Sequence, residues 1–405
     1  MIRFAGFLTA VGFLSLVTNR TPLVTVACFG LGGLLALQPP KGVALAVLAV
    51  WAFWGLSFLS TFESFSTFAS FDFHRRDGQI FFSLLPIVAM AWVAQGTTPF
   101  RLALALFCVV QAAVALLACG AEILGRTGTL EGMVYLRDES ESVLNYCGLY
   151  RAHNAVGSVQ ALCCLAAVAM AAFGAGARMR LFWGLLSIPL FWGVILSKSR
   201  GSLLALAGAL AGVAVLSWMR GAVSRRAILG VALVAVATGA LFGPRVVARM
   251  GQFAERSGTH AWRWEQWKRA AQEWSWSPIV GEGLGRYNDE DRQWAGLKHF
   301  YFVVTKARVV NAPSHAHNSY LHFLSEGGLA GFCVTVGFWA WIAWKLRGSR
   351  EPLRIAAFLG VLYLFAISLT EHYMGGGAML LVLSSLVGAA WNLPEPPLPD
   401  KIAAA

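Results

Sequence analysis

The chain has 405 residues, of which 57% are hydrophobic and only 13% are charged. This composition leaves too little polar surface for a soluble globular protein and indicates a polytopic membrane protein. The formal net charge is +12, an excess that in a membrane protein favours anionic lipids or polyanionic ligands as partners.

Apolar segments follow one another along the chain, although several are shorter than the roughly 20 residues that a bilayer requires. They cover residues 4–18, 22–37, 42–60, 79–95, 101–123, 155–174, 181–196, 202–218, 226–243, 320–344, 353–371 and 376–391. We therefore predict an all-α polytopic membrane protein of about 12 transmembrane helices. Residues 1–243 would contain helices 1–9 with short loops, 244–318 one large loop, and 319–405 helices 10–12 and a tail. No cleavage pattern follows the first segment, so it is expected to remain as an anchor.

Lysine and arginine in the short loops predict the orientation in the membrane. They put both termini in the cytoplasm and the large loop on the outer side, and all eight histidines then lie on or near the outer face. Eleven Lys and Arg residues lie in the large loop between Arg245 and Arg308. There are two interpretations of this basic surface. Either it binds an anionic lipid or polyanionic ligand, or it has no such role, because long loops do not follow the bias of Lys and Arg toward the cytoplasm. Nucleic acid is not expected on that side.

Two stretches of the N-terminal half are polar. Residues 62–77 repeat phenylalanine and end in charged residues, a pattern typical of an interfacial segment that either anchors the chain or grips an isoprenoid tail. Residues 125–154 are expected to form a small outer cap without a catalytic template. Cys119 and Cys147 lie near the outer face and could form one disulfide, which the sequence does not decide. Metal ligation by cysteine is not expected.

A very short outer turn, Ser197-Lys198-Ser199-Arg200-Gly201, separates two apolar segments. Ser199 or Ser202 can cap the second helix, whose backbone N–H groups then face outward with the positive end of the helix dipole. Together with Lys198 and Arg200, such a turn resembles a phosphate site. The alternative is an arginine that snorkels from a helix end.

The large loop contains an amphipathic helix over residues 262–274, with apolar side chains at 264, 267, 271 and 274. Its tryptophans either stack on sugars or anchor the helix at the interface. Pro278 ends the helix, and the alternate glycines Gly281, Gly283 and Gly285 predict a turn-rich backbone in close contact with its neighbour.

The loop ends in Ser314-His315-Ala316-His317-Asn318-Ser319, which places His317 at the start of the tenth helix. His317 is either a catalytic base or part of a helix cap in which Asn318 or Ser319 is the N-cap. No carboxylate or cysteine near the histidines in sequence completes a metal site, so no metal is expected. Alternative bases that no spacing favours are Glu265, Glu282 and Glu371.

Four motifs in this order resemble the O-antigen ligase and O-antigen polymerase superfamily of bacterial membrane glycosyltransferases. The matching residues lie within 195–335, and the N-terminal half resembles the family only in hydropathy. The motifs are Ser197-Lys198-Ser199-Arg200-Gly201, Arg263-x-x-x-Trp267, Pro278-x-x-Gly281-x-Gly283-x-Gly285, and His317-Asn318 followed by nine residues and Gly328-x-x-Gly331.

The resemblance implies a GT-C-like fold with a large periplasmic loop between helices 9 and 10, in a bacterial inner membrane. It implies an undecaprenyl-diphosphate-linked O-antigen as donor, the lipid A core oligosaccharide of lipopolysaccharide as acceptor, and transfer at the periplasmic face without a metal ion or other cofactor. By motif position, Arg200 and Arg263 correspond to arginines that hold the diphosphate, and His317 to the residue that activates the acceptor. Lys198, in the same turn as Arg200, is expected to bind the diphosphate as well, and supporting positions are expected for His315, Asn318 and Trp267.

The chemistry of these residue types agrees with such a transfer. Guanidinium groups neutralise the negative charge that grows on a diphosphate leaving group, and a neutral imidazole can remove the proton of an acceptor hydroxyl. Attack from the face opposite the diphosphate would invert the anomeric configuration. The alternative functions within the same chemistry are those of an O-antigen polymerase and of a protein O-oligosaccharyltransferase. A polyprenyl-diphosphate flippase is less favoured, because nearly all charges lie at helix ends rather than along a path inside the helices.

Overall fold

The computed structural model describes residues 2–17, 27–29, 31, 42–60, 79–92, 97–137, 144–150, 152–219, 257–288, 315–391 and 393–394. Some of the predicted features lie wholly or partly outside these residues. They are the apolar segments 22–37 and 226–243, the phenylalanine-rich residues 62–77, and about half of the basic stretch 245–308.

The described chain is mainly helical. Its helices are α1 (Ile2–Leu14), α2 (Gly42–Ser60), α3 (Gln79–Trp92), α4 (Thr97–Ile123), α5 (His153–Phe173), α6 (Ala177–Leu196), α7 (Arg200–Met219), α8 (Ser257–Trp276), α9 (Ser319–Leu346), α10 (Pro352–Ile367) and α11 (Ala378–Trp391). The two strands are β1 (Tyr135–Arg137) and β2 (Leu144–Tyr146).

The helices agree with the hydropathy pattern of the sequence. Apart from α8, each helix coincides with a predicted apolar segment. Within the described residues, five helices are long and apolar enough to cross a membrane, namely α2, α4, α5, α6 and α9. The protein is therefore a helical membrane protein, while the total of twelve spans and the GT-C architecture stay predictions.

The expectation of an all-α chain is wrong within residues 125–154. Strands β1 and β2 pair there as an antiparallel hairpin, with Tyr135 opposite Tyr146. Both tyrosines are buried: the Tyr146 hydroxyl accepts a hydrogen bond from Gln160 Nε2 at 2.8 Å, and the Tyr135 hydroxyl donates one to the Ala118 carbonyl at 3.2 Å. The predicted polar cap thus inserts aromatic side chains between α4 and α5.

The disulfide that the sequence left open is not present in this structure. Cys119 and Cys147 are both free thiols, and Cys147 is buried.

Helix α5 lies at the centre of the bundle and packs against α6, α7, α10 and α11. Glycines make these contacts close: a Cβ added at Gly193 of α6 would lie 2.0 Å from Gln160 Oε1, and one at Gly360 of α10 would lie 3.4 Å from Leu162 Cδ2. As a result, the first turns of α5 and α7 meet the end of α10 at one end of the bundle, which carries the candidate site.

The last turn of the predicted segment 353–371 is not helical as expected, because α10 ends at Ile367. Three glycines follow, and two of them, Gly376 and Gly377, have φ values of 151° and 105° that only glycine adopts readily. Residues 368–377 instead form a turn over the start of α9, where the Ser319 backbone N–H donates to the Ser368 carbonyl at 2.9 Å. Glu371 therefore lies in a turn and not in a membrane helix.

Candidate functional site

Glu371 joins two residues that the sequence analysis singled out separately. Its Oε1 accepts a hydrogen bond from Arg263 Nη2 at 2.9 Å, and its Oε2 lies 3.1 Å from His317 Nδ1. Arg263 comes from α8, His317 from the residues before α9, and Glu371 from the turn after α10. The structure thus brings together two of the three principal predicted site residues through a carboxylate that no spacing favoured.

Further bonds fix this carboxylate. Asn154, in the first turn of α5, donates from Nδ2 to Glu371 Oε1 at 2.9 Å, and Arg263 Nη1 donates to the neighbouring Thr370 carbonyl at 3.0 Å. Burial alone would raise the pKa of Glu371, but the hydrogen bond with His317 and the charge of Arg263 outweigh it and hold the pKa below its ordinary value. Glu371 is therefore ionised at neutral pH although its side chain is only 9% exposed.

His317 occupies a strained position at the start of α9. Its φ is 50°, in the left-handed region that residues other than glycine rarely adopt. The next residue, Asn318, is the N-cap of α9, because its Oδ1 accepts hydrogen bonds from the Tyr320 and Leu321 N–H groups at 3.0 and 3.1 Å. The sequence allowed either Asn318 or Ser319 as the N-cap, and the structure assigns this role to Asn318. The His317 side chain is therefore outside the helix.

His315 supports this backbone conformation. Its Nδ1 accepts a hydrogen bond from the His317 N–H at 3.1 Å, and the two rings are 4.2 Å apart in an edge-on arrangement. The supporting role expected of His315 stays a prediction as far as catalysis is concerned, but its contact with His317 is direct.

The turn before α7 lies against the same end of the bundle. Lys198 has a φ of 57°, and a Cβ added at Gly201 would lie 2.3 Å from Thr370 Oγ1. Gly201 follows Arg200, the first residue of α7, and Thr370 precedes Glu371. The start of α7 therefore lies against the turn that carries Glu371. Lys198 and His317 are the residues other than glycine with positive φ in the described chain, and such strain tends to concentrate at functional sites.

The predicted amphipathic helix in the large loop is confirmed, and the structure shows which of its faces is buried. The apolar positions 264 and 271 are exposed, with Trp264 at 58%, whereas Gln266, Ala270 and Glu273 are buried. The polar face of α8 turns inward because it carries Arg263 and the residues packed on α9. Trp267 is half-buried and packs edge-on against Trp264 with 6.3 Å between ring centroids, which favours the anchoring interpretation of these tryptophans.

The predicted close approach of the glycine-rich turn is confirmed, and its neighbour is α9. The turn fits into a break in that helix at Gly328, whose φ is 58°. The Leu329 N–H donates to the Pro278 carbonyl at 2.9 Å, and the Gly283 N–H donates to the Glu326 carbonyl at 2.8 Å. A Cβ at Gly281 would lie 2.3 Å from the Glu326 backbone. The two glycine motifs therefore form one contact.

A second buried polar cluster, which the sequence analysis missed, lies beside this contact. His322 Nε2 is 3.3 Å from Glu326 Oε2 inside α9, and both side chains are 1% exposed. On α8, Arg269 Nε donates to Glu273 Oε1 at 2.8 Å, and burial raises the pKa of Glu273 to about 7. Among the described residues, no group of three or more His, Cys, Asp or Glu side chains could hold a metal ion.

One signal in the sequence could have identified Glu371. It is an acidic residue at the edge of an apolar segment, followed by three glycines. Isolated ionisable residues at such places are functional candidates by default.

Comparison with known proteins adds one finding. Residues 185–336 match the model of a family described as O-antigen ligase. Arg200, Arg263 and His317 lie inside the matched range, and Glu371 lies beyond it. This match confirms the resemblance carried by the four sequence motifs. No curated protein matches the chain.

Proposed function

We propose, on the premise of the O-antigen ligase family match at residues 185–336, that this membrane protein is a glycosyltransferase with an O-antigen ligase reaction. It transfers a glycan from an undecaprenyl diphosphate carrier to the lipid A core oligosaccharide at the periplasmic face of a bacterial inner membrane. The observation that carries the proposal is the bridge from Arg263 to His317 through Glu371, at 2.9 and 3.1 Å.

Arg263 is suited to hold the donor diphosphate. A guanidinium has five N–H donors, of which one on each terminal nitrogen is used by Glu371 and the Thr370 carbonyl. The remaining donors are available for phosphate oxygens, and the two protein bonds fix the plane of the group. Arg200, at the start of α7, and Lys198, just before it, add positive charge at the same end of the bundle.

His317 is suited to act as the general base. Because Glu371 is ionised, the stable arrangement has the proton on His317 Nδ1 and the hydrogen bond directed to Glu371 Oε2. The lone pair of His317 Nε2 is then free to accept the proton of an acceptor hydroxyl. Glu371 stabilises the imidazolium that results, in the way a carboxylate orients and stabilises histidine in other general-base systems.

The acceptor oxygen then forms its bond to C1 of the donor sugar as the bond from C1 to the diphosphate oxygen breaks. The electron pair leaves with the diphosphate, whose growing charge is stabilised by the arginines. Attack from the opposite face inverts the anomeric configuration. Every step uses side chains of this chain alone.

The acceptor is tested by reconstitution. The purified protein in liposomes receives an undecaprenyl-diphosphate-linked glycan and one of three acceptors: core lipid A, a second lipid-linked glycan, or a pilin-like protein. We expect product on core lipid A, with and without EDTA. Product on the second glycan alone would identify a polymerase, and product on the protein alone an O-oligosaccharyltransferase.

The base is tested in the same assay with His317→Ala. This variant should give no product, whereas Lys268→Ala, at an exposed position on α8, should retain wild-type yield. Wild-type yield from purified His317→Ala would remove His317 from the mechanism.

A further inference from the structure

The contact between α8 and the broken helix α9 carries an exposed apolar surface. Trp276 ends α8 and is 51% exposed, and in the turn that follows Ile279 is 70% and Val280 61% exposed. Leu329, just after the break in α9, is 51% exposed. We call these four side chains the turn patch.

The position of Leu329 along α9 sets the depth of the patch. At the other end of the helix, Trp344 is 60% exposed and the Arg347 guanidinium stacks 3.1 Å above its ring, an arrangement typical of a membrane interface. Leu329 lies fifteen residues before Trp344, or about 23 Å at the rise of an α-helix. The hydrocarbon core of a bilayer is about 30 Å thick. Leu329 therefore falls within the hydrocarbon region, near its far edge.

Backbone groups of the turn are hydrogen-bonded to α9, as this depth favours. Polar backbone groups inside a bilayer must be paired, since no water is present to bond them. The break in α9 and the turn pair with each other: Ala330 N–H donates to the Ile279 carbonyl at 2.9 Å, and Glu282 N–H donates to the Ser325 carbonyl at 2.9 Å. This reciprocal bonding allows a non-helical segment to lie beside a membrane helix.

The outward face of α9 indicates what covers the patch. Below Leu329, the exposed positions of α9 continue at helical spacing through Cys333, Gly337, Ala340 and Trp344. All are apolar, and the patch is the upper end of this stripe. A protein partner would interrupt a stripe of this kind, whereas lipid chains cover it along its whole length.

We infer that residues 276–280 form a re-entrant turn whose apolar side chains contact the acyl chains of the bilayer, in the leaflet on the side of His317. The C-terminal end of α8, the helix that carries Arg263, is thereby anchored in the membrane. Residues 244–318, expected as an external loop, then include a segment that lies within the bilayer. The inference does not depend on the transfer reaction.

Spin labelling tests the depth of the turn. Single cysteines at Ile279→Cys and Val280→Cys, in a background with the exposed Cys333 replaced by alanine (Cys333→Ala), are labelled and the protein is placed in liposomes. Lys268→Cys, on helix α8 before the turn and with a side chain that is 52% exposed, is the matched control. Accessibility to oxygen and to a water-soluble nickel chelate is measured by electron paramagnetic resonance.

We expect the labels at 279 and 280 to be accessible to oxygen and protected from the nickel chelate, and the label at 268 to show the reverse. The inference is overturned if the chelate reaches 279 and 280 as readily as 268. It is also overturned if neither reagent reaches them, because the patch would then be covered by protein. Melting temperatures of the labelled proteins, compared with the unlabelled background, establish that the fold is intact.

Discussion

Glu371 determines what the two neighbouring residues can do. Without a carboxylate beside it, the His317 imidazole would have no fixed tautomer, and Arg263 would lose one of its two described protein contacts. The lowered pKa of Glu371 means that this arrangement is fully formed above the ordinary pKa of a glutamate. It is lost only as the pH falls through the lower folded-state pKa.

The substitution Glu371→Gln should lower the transfer rate by about 100-fold, because general-base catalysis depends on the orientation of the imidazole and on the charge that stabilises its protonated form. The side chain keeps its size, so the protein should fold. Steady-state kcat for glycan transfer measures the effect. The control is Glu265→Gln, which removes only a surface ion pair with Lys268. An unchanged kcat in Glu371→Gln would separate Glu371 from the reaction.

The substitution Arg263→Lys should weaken donor binding although the charge is kept. Lysine cannot bond Glu371, the Thr370 carbonyl and a phosphate in one plane, as a guanidinium can. We expect KM for the lipid-linked donor to rise at least about 10-fold, a loss of about 1.4 kcal/mol. Arg180→Lys, whose parent side chain bonds the exposed Ala171 carbonyl, should leave KM unchanged. Equal KM values for both variants would contradict a donor-binding role for Arg263.

For single residues, the sequence predicted which residues belong to the site better than it predicted which of them contact each other. His317, Arg263 and Arg200 could be selected because short motifs surround them. Glu371 stands out only as an acidic residue at the edge of an apolar segment, and its contacts could not be predicted, since it is 54 positions from His317 and 108 from Arg263. Contacts over such distances leave no local pattern in the sequence.

Among the elements, the break in α9 explains why two glycine motifs occur together. A Cβ at Gly328 would lie 2.4 Å from the Ile279 backbone, and one at Gly281 would lie 2.3 Å from Glu326. Both glycines also have positive φ values, of 58° and 73°. Each motif thus requires small residues because the other motif fills the space above it.

Gly328→Ala should destabilise the protein by about 2–5 kcal/mol, from a backbone clash together with an unfavourable φ. Gly337→Ala lies in the same helix with no atom within 4 Å of the added Cβ and should leave stability nearly unchanged. Thermal unfolding of the two variants in the same lipid provides the comparison. Equal melting temperatures would show that the turn does not pack against α9 as described.

The elements also show where periodicity fails. The pattern of residues 262–274 predicted α8 correctly but did not say which of its faces is buried. In a membrane protein the outward face meets lipid, so apolar side chains such as Trp264 can be the exposed ones, and a polar face can pack inside. Periodicity therefore identifies a helix without identifying which face is buried.

Across the whole molecule, α5, α7 and α9 begin at the same end, where α10 finishes. Hydropathy predicted these helices, because apolar length alone defines a membrane span. It did not predict the β1–β2 hairpin, whose buried Tyr135 and Tyr146 depend on partners in other helices. Which membrane face carries the site is predicted by the charge bias alone.

That orientation is tested by two cysteines in the Cys333→Ala background. Lys268→Cys, on α8, should react with a membrane-impermeant maleimide added outside intact spheroplasts. Gly348→Cys, exposed after the other end of α9, should react only after the membrane is permeabilised, because Lys and Arg residues around it favour the cytoplasm. The opposite pattern would place His317 in the cytoplasm and exclude a periplasmic reaction.

The central claim is that Arg263 and His317 act in one site, joined by Glu371. A double-mutant cycle with Arg263→Lys and His317→Gln, measured as kcat/KM for glycan transfer, tests it most directly. Residues that act as a unit are strongly non-additive, so the double variant should be at least about 10-fold faster than the product of the single losses predicts. Losses that multiply without coupling would mean that the two residues act independently, and would contradict the account.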